Sequence, residues 1–215
     1  MSRMTVTAVV PAYNEAGRVG KTVSLLRDYV DEILVIDDAS RDATAAEAAA
    51  AGARVLTQPV NQGYIAAIKR GFAEADGDIV VVVDADGEFP PARIPDLVAP
   101  ILAGDADMVQ GHRNIVPRPS ERVLTWLAGL RGQVGDSGTG LRALRTDLAR
   151  QLTLQGACIC GIFSLEVISK GGRLAEIPIK LQHVAKPRRI AWFHLRQLFH
   201  LLPWLLRRYS KIQTR

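Results

Sequence analysis

Cysteine is nearly absent: Cys158 and Cys160 are the two in a chain of 215 residues. Two thiols one residue apart cannot staple a fold. A C-x-C pair with no His or Cys near it in sequence is a poor zinc site. They read as reduced, buried thiols of a cytosolic protein. A chain of this length buries roughly 70% of the surface it exposes unfolded, so it needs neither disulfide nor structural metal. No run reaches about 18 uncharged apolar residues, so no membrane-spanning helix is expected. A secretory leader is not expected either. It would place about 7–15 apolar residues after a basic start, whereas Asn14-Glu15 interrupts the first apolar stretch here.

Acidic residues are missing from the last fifth. Residues 177–215 hold nine of the 27 Lys and Arg and none of the 22 Asp and Glu. The net charge of +5 therefore hides a mildly acidic body and a strongly basic tail. Such a tail points to a negatively charged partner: a membrane surface, nucleic acid or a phosphorylated substrate. No nucleic-acid recognition module accompanies it, so no nucleic-acid partner is expected. Internal repeats, low-complexity tracts and an interdomain linker are also absent. The four histidines are scattered and read as structural.

Short β-branched runs alternate with helical stretches over residues 1–112. Strands are expected at 6–10, 33–36, 54–56, 79–83 and 108–109, with helices at 16–29, 43–51, 62–75 and 92–102. Continuous apolar strands alternating with helices predict an α/β fold, a mostly parallel sheet covered on both faces with a nucleotide-binding layout. After 112 the rhythm breaks. Residues 114–120 read as a loop, 121–130 and 162–169 as helices, and 133–140 as a Gly-rich loop. Residues 174–179 read as a strand that Pro178 confines to an edge or a terminus.

In an open parallel sheet ligands bind at the carboxyl ends of the strands. Three expected strands end in polar clusters: Tyr13-Asn14-Glu15, Asp37-Asp38 with Ser40, and Asp84, Asp86 and Glu88. Single clusters of this kind serve as turns and caps. Three on one sheet edge would repel one another unless a cation or a hydrogen-bonding ligand lay between them. Hard divalent cations take oxygen ligands, and Mg²⁺ typically takes one or two carboxylates plus substrate phosphates. The alternate acidic positions 84, 86 and 88 suit that chemistry. They do not form an EF-hand, because Phe89 and Pro95 occupy the places of its Gly and its bidentate Glu. Gly20-Lys21-Thr22 lacks the first glycine of a phosphate loop, where Glu15 stands.

Six blocks occur in order: V-V-P-A-Y-N-E (9–15), V-I-D-D-A-S (35–40), N-Q-G-Y-I-A-A-I-K-R-G (61–71), D-I-V-V-V-V-D-A-D-G-E-F-P-P (78–91), D-S-G-T-G-L-R (136–142) and S-L-E-V-I-S-K-G-G-R-L-A-E-I-P-I (164–179). On these blocks the chain resembles the inverting family 2 glycosyltransferases of the GT-A fold, nearest to the dolichyl- and polyprenyl-phosphate sugar synthases. The resemblance implies a Rossmann-like nucleotide-diphospho-sugar transferase fold. It implies that Pro11, Tyr13 and Glu15 border the nucleotide, that Asp38 with Asp37 holds base and ribose, and that Asn61 and Gly63 close the other side. Lys69 or Arg70 would lie near the diphosphate. Asp84 and Asp86 would be the DxD pair holding Mg²⁺ or Mn²⁺, with Glu88 as a further ligand where the lipid-phosphate branch commonly carries Gln. Arg113, Arg122, Thr139, Gly140 and Arg142 would line the acceptor side, with Arg113 on the acceptor phosphate.

The implied reaction moves a sugar with inversion from a nucleotide-diphosphate sugar to a lipid-phosphate carrier at the cytoplasmic membrane face. A phosphate acceptor is already an anion and strictly needs no base. A hydroxyl acceptor would need one, and Asp136 is then the candidate. A non-catalytic nucleotide-sugar-binding scaffold is the reading from another class. The chain departs from the family on the acceptor side: the span 122–136 is short, and 182–189 replaces the expected Gly-x-Ser-Lys motif. The expected domains are a catalytic unit over 1–185 and a basic amphipathic segment over 186–215. Leucines and aromatics around Arg196, ended by Arg207 and Arg208, suit a helix in a membrane interface. Packing on the core or on a membrane-anchored partner protein is the other reading.

Overall fold

The computed structural model describes residues 3–116, 118–156, 158–181 and 191–206. A seven-stranded sheet runs through them in the order β3-β2-β1-β4-β6-β5-β7. The strands are β1 Val6–Ala12, β2 Glu32–Asp37, β3 Arg54–Thr57, β4 Ile79–Val82, β5 Met108–Arg113, β6 Arg142–Arg145 and β7 Leu174–Ile179. The helices are α1 Val19–Leu26, α2 Thr44–Ala50, α3 Tyr64–Glu74, α4 Ile94–Leu102, α5 Pro119–Gly129, α6 Thr146–Gln151, α7 Ile162–Ser169 and α8 Ala191–Leu206. Strand β6 runs antiparallel to both its neighbours, β4 and β5, and the other pairings are parallel.

Alternation along the central strands divides the core in two. Ala8, Val10, Val35 and Val81 face one layer with Val19, Val23, Leu26 and Leu97 of α1 and α4. Val9, Val80 and Val82 face the other with Ile68, Phe72, Leu124, Phe163 and Leu201 of α3, α5, α7 and α8. Burial on both faces explains why the strand sequences read as unbroken apolar runs. Helix α3 lies close on β1 at Gly71, where a Cβ would come 2.2 Å from Val9 Cγ1. That close approach brings the start of α3 to the ends of β2 and β4.

The first two strands off the centre, β2 and β3, lie on one side of β1, and β4 lies on the other. The strand order therefore reverses between β1 and β4, where open α/β sheets bind ligands. The carboxyl ends of β1, β2, β4, β5 and β7 share that edge, together with the amino end of the antiparallel β6.

Pro178 lies in β7, the edge strand, as its missing N–H requires. Strand β6 and helix α6 have no counterpart among the elements the sequence pattern predicts. Strand β6 opens on Arg142, which the fold buries completely. Helix α8 is docked on α5 and α7. Residues 182–190 and 207–215 lie outside the described residues, as do the side chains of Trp192 and Phe193. The expectations for Lys186, Arg188, Arg189, Arg207 and Arg208 therefore fall there too. Among the described residues no helix is long and apolar enough to cross a membrane.

Candidate active site

The loops after β1 and β2 interlock. Asn14 N–H donates to Ser40 Oγ at 2.9 Å, and Arg41 N–H donates to Asn14 Oδ1 at 2.9 Å. Asn14 and Ala39 are held at φ 53° and 60°, a left-handed conformation that costs a non-glycine residue about 1–3 kcal/mol and clusters at functional sites. Pro11 is buried, and Tyr13 is exposed beside these loops. Buried Glu15 pairs with Arg18 Nη2 at 2.6 Å. Asp37 is buried and accepts from Ser40 N–H at 3.2 Å.

Asp38 braces the loop before α3. Its Oδ1 accepts from Gln58 Nε2 and Gln62 N–H, and its Oδ2 from Gly63 N–H, each at 2.7 Å. These bonds brace the entry to α3 from the end of β2. Asn61 and Lys69 are exposed near this brace, while Arg70 pairs with Glu74 at 3.0 Å.

Asp84, Asp86 and Glu88 follow β4 at the reversal point. Tyr64 Oη donates to Asp84 Oδ1 at 2.5 Å. Gly140 abuts the same carboxylate: a Cβ there would push Asp84 Oδ2 aside. Asp86 Oδ1 accepts from Glu88 N–H at 3.0 Å, which turns the loop. Burial and the facing Asp86 push the Asp84 carboxyl up to about 6, against the pull of Tyr64 and Arg142. Burial, then Asp84, also pushes the Tyr64 hydroxyl above its ordinary value. An all-oxygen set in which like charges crowd one another at the cost of ionisation fits a hard divalent cation.

The acceptor side is built differently. Arg113, at the end of β5, grips Asp136 with a fork: Nε to Oδ2 at 2.6 Å and Nη2 to Oδ1 at 2.8 Å. Its backbone N–H adds a bond to Oδ2 at 3.0 Å. Arg113 Nη2 also reaches Glu121 Oε2 at 2.8 Å, and Arg118 Nη1 holds the other Glu121 oxygen at 2.5 Å. Asp136 is wholly buried, and Arg113 holds its carboxyl below the usual range despite that burial. Both Asp136 oxygens are thus engaged and its proton affinity is held down, which bears on the expectation that it acts as a base. Arg113 is thereby held by two carboxylates through Nε and Nη2.

Arg142 is wholly buried as well. Its Nη2 donates to Ser137 O at 2.9 Å, and its guanidinium stacks 4.8 Å from the Phe163 ring centre. Its Nε and Nη1 have no hydrogen-bond partner among the described residues. Burial lowers its proton affinity, while Tyr64, Asp136 and Asp84 sustain its charge. A buried guanidinium with unmet donors is able to receive an anionic oxygen. Thr139 is buried and caps Leu141 N–H at 3.3 Å, whereas Arg122 is exposed on α5. A cavity of about 710 Å³ opens at the ends of β5 and β7, with His112, Arg113 and Lys180 in its wall.

Sequence reasoning missed Tyr64 and Glu121. Tyr64 lies within the N-Q-G-Y block, one residue after Gly63, so its motif was a usable signal. Glu121 had only its i, i+3 spacing from Arg118.

The family model described as Glycosyl transferase family 2 matches residues 7–165. The undecaprenyl-phosphate mannosyltransferase of Micrococcus luteus is 32% identical over 204 residues, covering 82% of this chain and 83% of that protein. The glucosyl-3-phosphoglycerate synthase of Mycolicibacterium paratuberculosis is 39% identical over 113 residues. That match covers 47% of this chain and 34% of the synthase, so the chain spans about a third of it. A crystal structure of the Mycobacterium tuberculosis glucosyl-3-phosphoglycerate synthase with Mn²⁺, uridine diphosphate and glucosyl-3-phosphoglycerate superposes with a TM-score of 0.76. It is 25% identical and covers 94% of this chain and 80% of that one.

Proposed function

We infer the reaction from one premise: the chain belongs to glycosyl transferase family 2. The reading is an inverting transferase that takes a nucleotide-diphosphate sugar and glycosylates a polyprenyl-type lipid phosphate. One observation carries the acceptor assignment. The carboxylate best placed to serve as a base, Asp136, has both oxygens bound to Arg113 and a depressed proton affinity. The nucleophile must then bring its own charge, and a phosphate oxygen does so at neutral pH. The undecaprenyl-phosphate mannosyltransferase, matched over most of both chains, is named for a lipid phosphate of this kind.

Pro11, Tyr13, Glu15 and Asp37 border the nucleotide, with Asn61 and Gly63 opposite and Lys69 toward the diphosphate. Asp84, Asp86 and Glu88 are the ligands for Mg²⁺ or Mn²⁺. Such an ion, when bound, neutralises the charge that develops on the departing diphosphate. Tyr64 orients Asp84 through its hydroxyl. Arg142 offers the N–H groups of two unpartnered nitrogens, Nε and Nη1, to an anionic oxygen beside the triplet. Gly140 and Thr139 shape the wall between donor and acceptor, and Asp136 keeps Arg113 rigid beside the basic cavity, with Arg122 at its rim.

The lipid assignment draws on α5 and α8. These adjoining helices expose Val123 and Trp126 (63%), and Leu195, Phe199 (72%), Leu202 and Leu206. The four α8 residues recur at helical spacing and suit a membrane interface on the cytoplasmic side. The catalytic unit is then 1–185, with 186–215 as the membrane-contacting segment.

The test is an acceptor panel with Mn²⁺ and UDP- or GDP-sugars: undecaprenyl phosphate in micelles, 3-phosphoglycerate and a simple alcohol. The expected product is an acid-labile glycosyl phosphate on the lipid. Transfer to 3-phosphoglycerate alone would reject the lipid reading and retain the donor site. No transfer to any acceptor would favour the scaffold.

A further inference from the structure

Cys158 and Cys160 have a partner that sequence spacing hides. Helix α8 brings His194 onto the pair, so that the two sulfurs and a ring nitrogen all lie within 4.8 Å of one another. Cys160 Sγ and His194 Nε2 are 3.9 Å apart. Two ligands of one tetrahedral Zn²⁺ at ordinary bond lengths stand roughly 3.6 Å apart, so this edge needs only a few tenths of an ångström.

The surroundings hold the three donors in place. His194 Nδ1 is 2.6 Å from Ser120 Oγ on α5. That contact directs Nε2 at the sulfurs, as the outer partners of metal-bound histidines do. The wholly buried Gln197 clamps the thiol segment at both ends: its Oε1 accepts from Cys158 N–H at 3.1 Å, and its Nε2 donates to Cys160 O at 3.1 Å. Cys160 and His194 are buried, and Cys158 is half-buried. The sulfurs have Arg142 and Glu121 as charged neighbours, of opposite sign.

We propose that Cys158, Cys160 and His194 form a site for a thiophilic d¹⁰ divalent cation of the Zn²⁺ class, separate from the carboxylate site and fastening α8 to the body. Two thiolates and one imidazole supply three ligands, and water completes the set on the half-exposed side of Cys158. The balance is simple: Zn²⁺ and two thiols give the bis-thiolate complex and two protons to solvent. Soft sulfur donors separate this site from Asp84 and Asp86, whose oxygens select hard cations.

The full-length, reduced and chelator-stripped protein is titrated with Co²⁺, then with Zn²⁺ in competition. The expected result is one equivalent of Co²⁺ with thiolate-to-cobalt charge transfer and the intense visible bands of a tetrahedral site, displaced by Zn²⁺. Asp84→Asn with Asp86→Asn keeps these bands. Cys158→Ser and Cys160→Ser abolish them, and Ser120→Ala weakens binding by about tenfold. Zn²⁺ raises the melting temperature of the wild type and not of Cys158→Ser, whose half-buried position preserves the core if Cys160→Ser fails to fold. Lack of charge transfer in the reduced wild-type chain overturns the proposal. So do bands that survive Cys160→Ser, and so does a metal-free Cys158–Cys160 disulfide in freshly isolated protein.

Discussion

At the ends of β4 and its loop, carboxylates face other carboxylates; around β5 and α5 they face arginines. Asp84 is pushed up to about 6 because burial disfavours its charge and Asp86 and Glu88 crowd it. Asp136 and Glu121 are more deeply placed, yet Arg113 and Arg118 meet each of their oxygens. The first arrangement holds negative charge ready for a ligand to neutralise. The second satisfies itself and so stiffens the wall beside it. Identical side-chain chemistry thus yields crowded, unneutralised carboxylates in one place and a strut in the other, and the counter-charge decides which.

The contrast is sharpest in substitutions. Asp84→Asn with Asp86→Asn should lower kcat/KM by about 10³-fold or more. It should leave the urea midpoint unchanged or slightly raised, since it removes mutual repulsion. A midpoint that drops as for a broken core ion pair would erase the distinction. Arg113→Ala should do the converse. It strands the buried Asp136 and leaves Glu121 with only Arg118, which costs about 3–5 kcal/mol in chemical denaturation. Arg113→Lys should recover only part, because an ammonium cannot reproduce the fork.

Titration separates the regions next. The raised Asp84 value means protons and Mn²⁺ compete, so Mn²⁺ affinity should fall about tenfold per pH unit below about 6, read by calorimetry. The metal-free fold gains stability from this group as pH falls through 6, because the folded state binds the proton more tightly. The Asp136 contribution has the opposite sign. Its folded value is depressed, so its stabilisation is present above the ordinary 3.8 and is lost only as pH falls through the lower folded value. At pH 5 the protein should therefore bind Mn²⁺ poorly while staying folded. The smallest effect expected is that of Tyr64→Phe. Losing the hydroxyl that stabilises ionised Asp84 should raise its titration point and weaken Mn²⁺ binding by roughly 2–10-fold at about pH 6.5. Its kcat with saturating Mn²⁺ should be nearly intact.

Much of the donor half was legible in sequence because its signals are local. The runs at β1, β2 and β4 are continuous and apolar, and their polar ends fall where a parallel sheet places ligands. The acceptor side was less legible because its partners are distant. Arg113 and Asp136 are 23 residues apart, and Glu121 reaches the same cluster from α5. Strand β6 was missed because it opens on an arginine that distant groups, Phe163, Ser137 and Asp136 among them, make tolerable in a core. Asp38 was rightly placed at the edge, but whether its oxygens faced a ligand or Gln58 and Gly63 depended on how the loop before α3 returned.

The α/β class, the central strands, the family and the acidic triplet at the end of β4 were all readable from the residues in order. Each follows from periodicity or from neighbours within a few positions, which local sterics and burial fix. Which charges are already paired and which stay available became visible only once the chain was folded. Folding locked Asp136 to Arg113, left two nitrogens of Arg142 unmet and carried His194 across 34 residues to Cys160. Charge state and ligand geometry depend on distance and dielectric in space, and chain spacing encodes neither.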